Sequence, residues 1–197
     1  MKGLSDKEIE ILLVLFRDFS TDYNSNNITK KMKITPAGAF KAMKNLEKKG
    51  LITGKRMGKA VFYKLNLDDY YAFRTMETLL INESREKASR WLKEFKDLFN
   101  HVEIVIIFGS ILKDSKKAND IDLLAVFRKE KNNLVNKIID ERRVLSIKAI
   151  HLVKQTPEDL RRNLKNKDKV ILSAIKNGCV LYGYDKLLEV VKNVTSI

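Results

Sequence analysis

The sequence predicts a mixed α/β (α+β) chain in three parts: a helical N-terminal third closed by a β-hairpin, a helical connector, and a C-terminal unit in which a mixed sheet is flanked by helices. Three observations carry this expectation. Apolar residues recur at helical spacing up to Gly50, and two β-favouring runs then flank a turn at Gly58. The stretch from Asp68 to Asn100 contains neither glycine nor proline. From residue 102 onward, short apolar runs alternate with helical patterns. The boundaries that follow are 1–67, 68–99 and 100–197.

The first helix opens on Ser5-Asp6-Lys7-Glu8, a capping box in which serine caps the start and glutamate three residues on reaches back. Ile9, Leu12, Leu13, Phe16 and Phe19 follow at helical spacing, and the helix ends near Ser20. After a polar loop, Ile28 to Lys33 suits a short helix. Thr35-Pro36 starts a third, with a capping threonine and proline at the first helical position. Phe40, Met43 and Leu46 are expected to face inward, and Lys41, Lys44, Asn45 and Lys48 outward. Gly50 marks the stop, and Leu51 to Leu65 folds back as the hairpin.

Charge is concentrated in this third. Between Tyr23 and Asn66 there are eleven Lys/Arg and one acid, Glu47, a net +10 of the formal +14 of all 197 residues. Such density is an electrostatic footprint for nucleic acid. The order of three helices and a basic hairpin, with Asn45-Leu46-Glu47-Lys48-Lys49-Gly50-Leu51-Ile52 at the junction, resembles the winged helix-turn-helix of many prokaryotic and archaeal regulators over residues 4–66. The resemblance implies a third helix in the major groove of double-stranded DNA and a wing on the backbone or minor groove. Thr35, Lys41, Lys44, Asn45 and Lys48 would then lie at the duplex, with Arg56 and Lys59 on the wing. The lysines would neutralise phosphates, and Asn45 would read a base edge.

In the connector, Tyr71, Met76, Leu79 and Leu80 form one apolar stripe and Trp91, Leu92, Phe95, Leu98 and Phe99 another. They fit one long helix, or two joined near Asn82-Glu83-Ser84. Winged-helix regulators usually dimerise through such helices, because palindromic operators match two-fold symmetry. A homodimer is the expectation.

The C-terminal unit reads as strands at 102–108 and 120–127, a helix at 130–142, a strand at 144–153, helices at 156–166 and 167–177, a short segment at 179–183 and a last helix at 184–194. The apolar run Val105 to Phe108 ends in Gly109-Ser110, and the next strand opens with Asp120 and Asp122. Residues two apart in a strand share a face, so the two carboxylates project together. Their repulsion calls for a cation between them, and magnesium is the usual one, being shared with substrate phosphates. The Gly-Ser turn can offer backbone N–H groups and a hydroxyl to those phosphates.

This constellation resembles the nucleotidyltransferase superfamily related to DNA polymerase β, especially its minimal members, over about residues 100–190. The closing segment Asn177 to Gly183 supports the likeness. The resemblance implies that Asp120 and Asp122 are catalytic and metal-binding and that Gly109 and Ser110 meet an NTP. Where many members place arginines after Gly-Ser, this loop departs, and Lys113, Lys116 or Lys117 would contact the triphosphate as point charges, with Asp114 opposing. It also implies a third carboxylate on the following strand. Val144 to Leu152 contains no acid. Ser146 or Lys148, or Ile147 or Ala149 if the register slips by one, would stand there instead. An ammonium from Lys148 would neutralise the aspartates and compete with magnesium. His101 and His151 are expected to be ordinary packed or surface residues.

Three functional readings follow, the third an antitoxin-like protein that binds its operator and a toxin partner. In the first, a DNA-binding transcriptional regulator carries a nucleotidyltransferase-like domain with incomplete carboxylates. In the second, an active Mg²⁺-dependent enzyme transfers NMP from NTP to a hydroxyl, targeted by the winged helix. A single cysteine, Cys179, excludes an intrachain disulfide and a cysteine-based zinc site. With no apolar run of membrane-spanning length and an N-terminus unlike a signal peptide, a cytoplasmic location and no membrane partner are expected.

Overall fold

The computed structural model describes residues 3–195, and the chain forms two compact units, one comprising Met1–Leu79 with Val191–Ile197 and the other Leu80–Val190. The fold class is mixed α/β. None of the described helices is long and apolar enough to cross a membrane.

In the first unit, α1 (Asp6–Arg17) begins at the expected capping box, with the Ser5 side chain accepting from Glu8 N and Glu8 accepting from Ser5 N at 2.8 Å. It buries Ile11, Leu12, Leu15 and Phe16. A 3-10 turn at Asn27–Lys30 buries Ile28, and α2 (Pro36–Lys48) starts on a Thr35 cap. The phase of α2 differs from expectation. Ala39, Met43 and Leu46 are buried, whereas Phe40 is 52 % exposed. Ala39, Met43 and Leu46 share one helical face, and Phe40, about 100° round the helix from Ala39, falls outside it. Strands β1 (Ile52–Met57) and β2 (Ala60–Leu65) pair antiparallel around Gly58, whose φ of +62° is one that glycine adopts at no steric penalty.

The last turns of the chain complete this unit. Val191 is buried, Lys192 pairs with Asp68 at 3.0 Å, and a small hollow is lined by Phe19, Tyr63, Leu67, Val191 and Thr195.

Helix α3 (Tyr70–Lys87) buries Ala72, Met76, Leu79 and Leu80, while Tyr71, expected inward, is 61 % exposed. The helical break falls at Ala88, later than the expected Asn82–Ser84, and α4 (Ser89–Glu94) follows. Ser84 is fully buried and its hydroxyl lies 2.7 Å from that of Tyr184. Trp91, Phe95 and Leu98 do not present a free stripe. They belong to the hydrophobic core of the second unit.

That core lies against a four-stranded sheet built from β3 (Ile104–Phe108), β4 (Asp120–Val126), β5 (Ala149–Gln155) and β6 (Cys179–Tyr182), in the order β5-β4-β3-β6. β3 runs antiparallel to β4 and β6, and β5 runs parallel to β4. The parallel pair is joined by α5 (Asn132–Leu145), which packs Val135 and Ile139 into the core. Helices α6 (Pro157–Lys165) and α7 (Lys169–Asn177) precede β6, and α8 (Tyr184–Thr195) closes the chain.

One strand boundary differs materially from the sequence reading. Val144 and Leu145 belong to the last turn of α5, Ser146 to Lys148 form a turn, and β5 begins only at Ala149. Val144, Leu145 and Ile147 are all exposed. The Arg143 guanidinium holds this junction by donating to the Ile150 carbonyl from Nη2 at 3.0 Å and from Nε at 3.2 Å.

Candidate functional site

Along β4, Ile121, Leu123 and Ala125 enter the core, which sends Asp120 and Asp122 to the other face. The antiparallel register sets Phe108 opposite Asp122, so the turn leaving β3 lies beside that carboxylate. Gly109 occupies φ +86°, ψ −159°, and a Cβ there would collide with Asp122 Oδ2. Only glycine satisfies both the backbone and the space. Ser110 Oγ lies 3.5 Å from Asp120 Oδ1 and starts a 3-10 turn, Ser110–Leu112. Lys113, Lys116 and Lys117 are exposed on the loop that follows. Asp114 organises that loop by accepting from Lys116 N at 3.0 Å and Lys117 N at 3.2 Å.

The parallel pairing of β4 with β5 supplies the third group. Asp120 faces Ala149 and Asp122 faces His151. His151 Nδ1 lies 3.4 Å from Asp122 Oδ1 and 3.7 Å from Asp120 Oδ2. The positions considered from sequence do not hold this place. Lys148 precedes the strand, and its ammonium donates to the Ala118 carbonyl; Ser146 Oγ donates to Lys148 O at 2.8 Å. His151 is thus a site residue that sequence reasoning treats as ordinary. The available signal is its place two residues beyond Ala149, on the face shared with the aspartates.

Asp120, Asp122 and His151 each offer a ligating atom, and these atoms lie within 4.8 Å of one another. The residues present therefore suit a divalent cation: two hard oxygen donors and an imidazole converge beside a turn kept clear by Gly109.

In the first unit, Lys41, Lys44, Asn45 and Lys48 lie on α2, and they line, with Lys7 and Glu8, an open groove of about 700 Å³. Arg56 and Lys59 are exposed on the hairpin. Thr35 is engaged as the helix cap, accepting from Gly38 N at 3.2 Å. Lys44 forms a 2.7 Å ion pair with Glu47 and stands 6.0 Å above the Tyr63 ring; the hydrogen bond to Glu47 is the main reason its pKa is raised. Asn45 donates to Glu8 Oε1 at 2.5 Å, so the amide expected to read a base is already engaged.

Glu8 itself is buried. Burial alone would raise its pKa, but hydrogen bonds from Ser5 N, Lys49, Asn45 and Ser5 Oγ outweigh that and hold it below the usual carboxylate range.

Residues 90–187 match the family model described as "Polymerase beta, Nucleotidyltransferase". This segment is a nucleotidyltransferase-like domain. It contains the Gly109-Ser110 turn, both aspartates and His151. No curated protein matches the chain. Among solved structures, the chain is similar to a cysteine-to-serine mutant of ZitR from Lactococcus lactis, at 19 % identity over 72 % of this chain and 74 % of that one, with a TM-score of 0.34.

Proposed function

We propose that the chain is a DNA-binding transcriptional regulator whose nucleotidyltransferase-like domain binds a nucleotide and a divalent ion. The observation that supports it is the placing of Lys41, Lys44 and Lys48 along one helix at an open groove, with Arg56 and Lys59 exposed on the hairpin that follows. In a winged-helix reading, α2 enters the major groove and the hairpin touches the backbone. The contacts are mainly to phosphate, so affinity is strongly salt-dependent. Because the Asn45 amide is held by Glu8, sequence discrimination falls to other groups or to DNA shape. A homodimer would match a two-fold operator. Gel retardation of a duplex by the full chain at moderate salt tests this reading. Lys44→Glu/Lys48→Glu should abolish the shift, and retention of wild-type binding overturns it.

In the second domain, Asp120 and Asp122 would hold the ion, Mg²⁺ on carboxylate chemistry alone, with Ser110 and the Gly109 backbone at the phosphates. A bound ion would supply Lewis-acid polarisation of a phosphate oxygen. The convergence of His151 on the aspartate pair favours a second reading, an active nucleotidyltransferase, since it fills the place of a third ligand. Labelled NTP with a divalent ion would then yield transfer that disappears in Asp120→Ala.

A further inference from the structure

The geometry points to His151 as a direct metal ligand, forming with Asp120 and Asp122 a three-ligand site for a borderline divalent ion of the zinc and cobalt class in preference to magnesium. This rests on the reading of the second domain as metal-binding and specifies which ion its own residues select.

The first support is distance. His151 Nδ1 is 3.4 Å and 3.7 Å from the two nearest carboxylate oxygens. Both exceed the roughly 2.7–3.2 Å of a formed N–H···O hydrogen bond. The shorter matches the edge of a tetrahedron of ligands set about 2.0–2.1 Å from a central ion, about 3.3–3.4 Å, and the longer lies a few tenths of an ångström beyond it. The imidazole is thus spaced as a ligand that shares an ion with the aspartates.

The second support is donor chemistry. Magnesium takes oxygen almost exclusively and demands near-octahedral geometry. An imidazole in the donor set shifts preference toward zinc, cobalt, nickel or copper. Two carboxylates and one imidazole also leave a fourth position open, as metal sites that must accept a substrate oxygen do.

The third support is backbone. Asp122 and His151 are Cα partners in the parallel β4–β5 ladder, so their shared face is set by register. Gly109 leaves room on the opposite side of Asp122, where any Cβ would collide with Oδ2. Lys148, whose charge would have competed with a cation, is turned to the Ala118 carbonyl.

The test uses the full chain and Co²⁺ as probe, read by visible d–d absorption and by calorimetry, with Zn²⁺ and Mg²⁺ as competitors. Wild type should bind Co²⁺ and Zn²⁺ at least about a hundredfold more tightly than Mg²⁺. His151→Ala should weaken Co²⁺ binding at least about tenfold and alter the spectrum. His151→Asp should narrow the gap between Co²⁺ and Mg²⁺. The His151 side chain is 60 % exposed, so both variants should retain the fold, checked by circular dichroism. His101→Ala controls for the other histidine. Equal Co²⁺ binding and spectra in wild type and His151→Ala would overturn the inference while leaving the aspartate pair as a metal site. No divalent binding by wild type at millimolar concentration would overturn both.

Discussion

The basic face of the first unit and the carboxylate–imidazole cluster of the second differ in how each distributes its task. On α2 and the hairpin, Lys41, Lys48, Arg56 and Lys59 stand exposed at the surface, and Lys44 is paired with Glu47. In the cluster, three side chains from two strands converge within 4.8 Å, and a neighbouring glycine is compelled by both its φ and its contact with Asp122. Electrostatic attraction to a polyanion is additive and tolerant of small shifts. Coordination demands positions good to a few tenths of an ångström. Removing one lysine should therefore subtract a little, whereas disturbing one side of the cluster should remove most of its capacity.

The largest effect should come from Gly109→Ala. The Gly109 backbone conformation alone should lower stability by about 1–3 kcal/mol, and the new methyl must displace Asp122. Urea denaturation should show the loss, and calorimetry should show divalent affinity falling by at least about tenfold. Unaltered stability and binding would mean that the turn is not fixed as described, and the contrast between the two regions would collapse.

A smaller effect is expected at Glu8, where the first unit relies on a buried charge. Its folded-state pKa lies below the ordinary value of 4.5, so the ionised form is favoured by folding. That contribution is present above pH 4.5 and is lost as pH falls through the depressed folded value. Glu8→Gln should lower stability near neutral pH by about 1–2 kcal/mol and flatten the acid limb. Amide exchange at Ile11 and Leu12 reports the first unit, and fluorescence of Trp91, which lies in the second, serves as control. A variant with an unchanged acid limb would show that this ion cluster is not a determinant.

The smallest effect should follow Lys41→Ala. If its ammonium neutralises one phosphate, the slope of log affinity against log salt should shrink by about 0.9, with specificity unchanged. A collapse of binding from this single change would make the first unit resemble the second, with one dominant contact.

Much of both regions is legible in the sequence where the determining interactions are local. The Ser5–Glu8 capping box, the Thr35 cap and the Asp120/Asp122 alternation depend on residues a few positions apart, and each appears as expected. Phe40 departs from expectation because the buried face of α2 is centred on Ala39, Met43 and Leu46, from which Phe40 is turned away. His151 escapes a sequence reading for a longer-range reason. Its pairing with Asp122 depends on where β5 begins, which depends on α5 continuing through Leu145 and on Arg143 anchoring the Ile150 carbonyl. Val144 favours a strand, while Leu145 favours a helix, and Arg142 and Arg143 are the local sign that a helix ends here. The family resemblance implies an acid on this strand; none lies between Val144 and Leu152, and an imidazole two residues beyond Ala149 stands beside the aspartates instead.

The return of the chain's last turns to the first unit has a consequence for synthesis. Val191 is part of that unit's buried interior, and Lys192 is ion-paired to Asp68. A nascent chain that has passed Leu79 still lacks these groups until the whole of Leu80–Val190 has been translated. At about 5–20 residues per second, those 111 residues impose a delay of roughly 6–22 s. The basic unit is thus finished only after Leu80–Val190 has been made, and a product terminated before Val191 carries its lysines on an incompletely packed body.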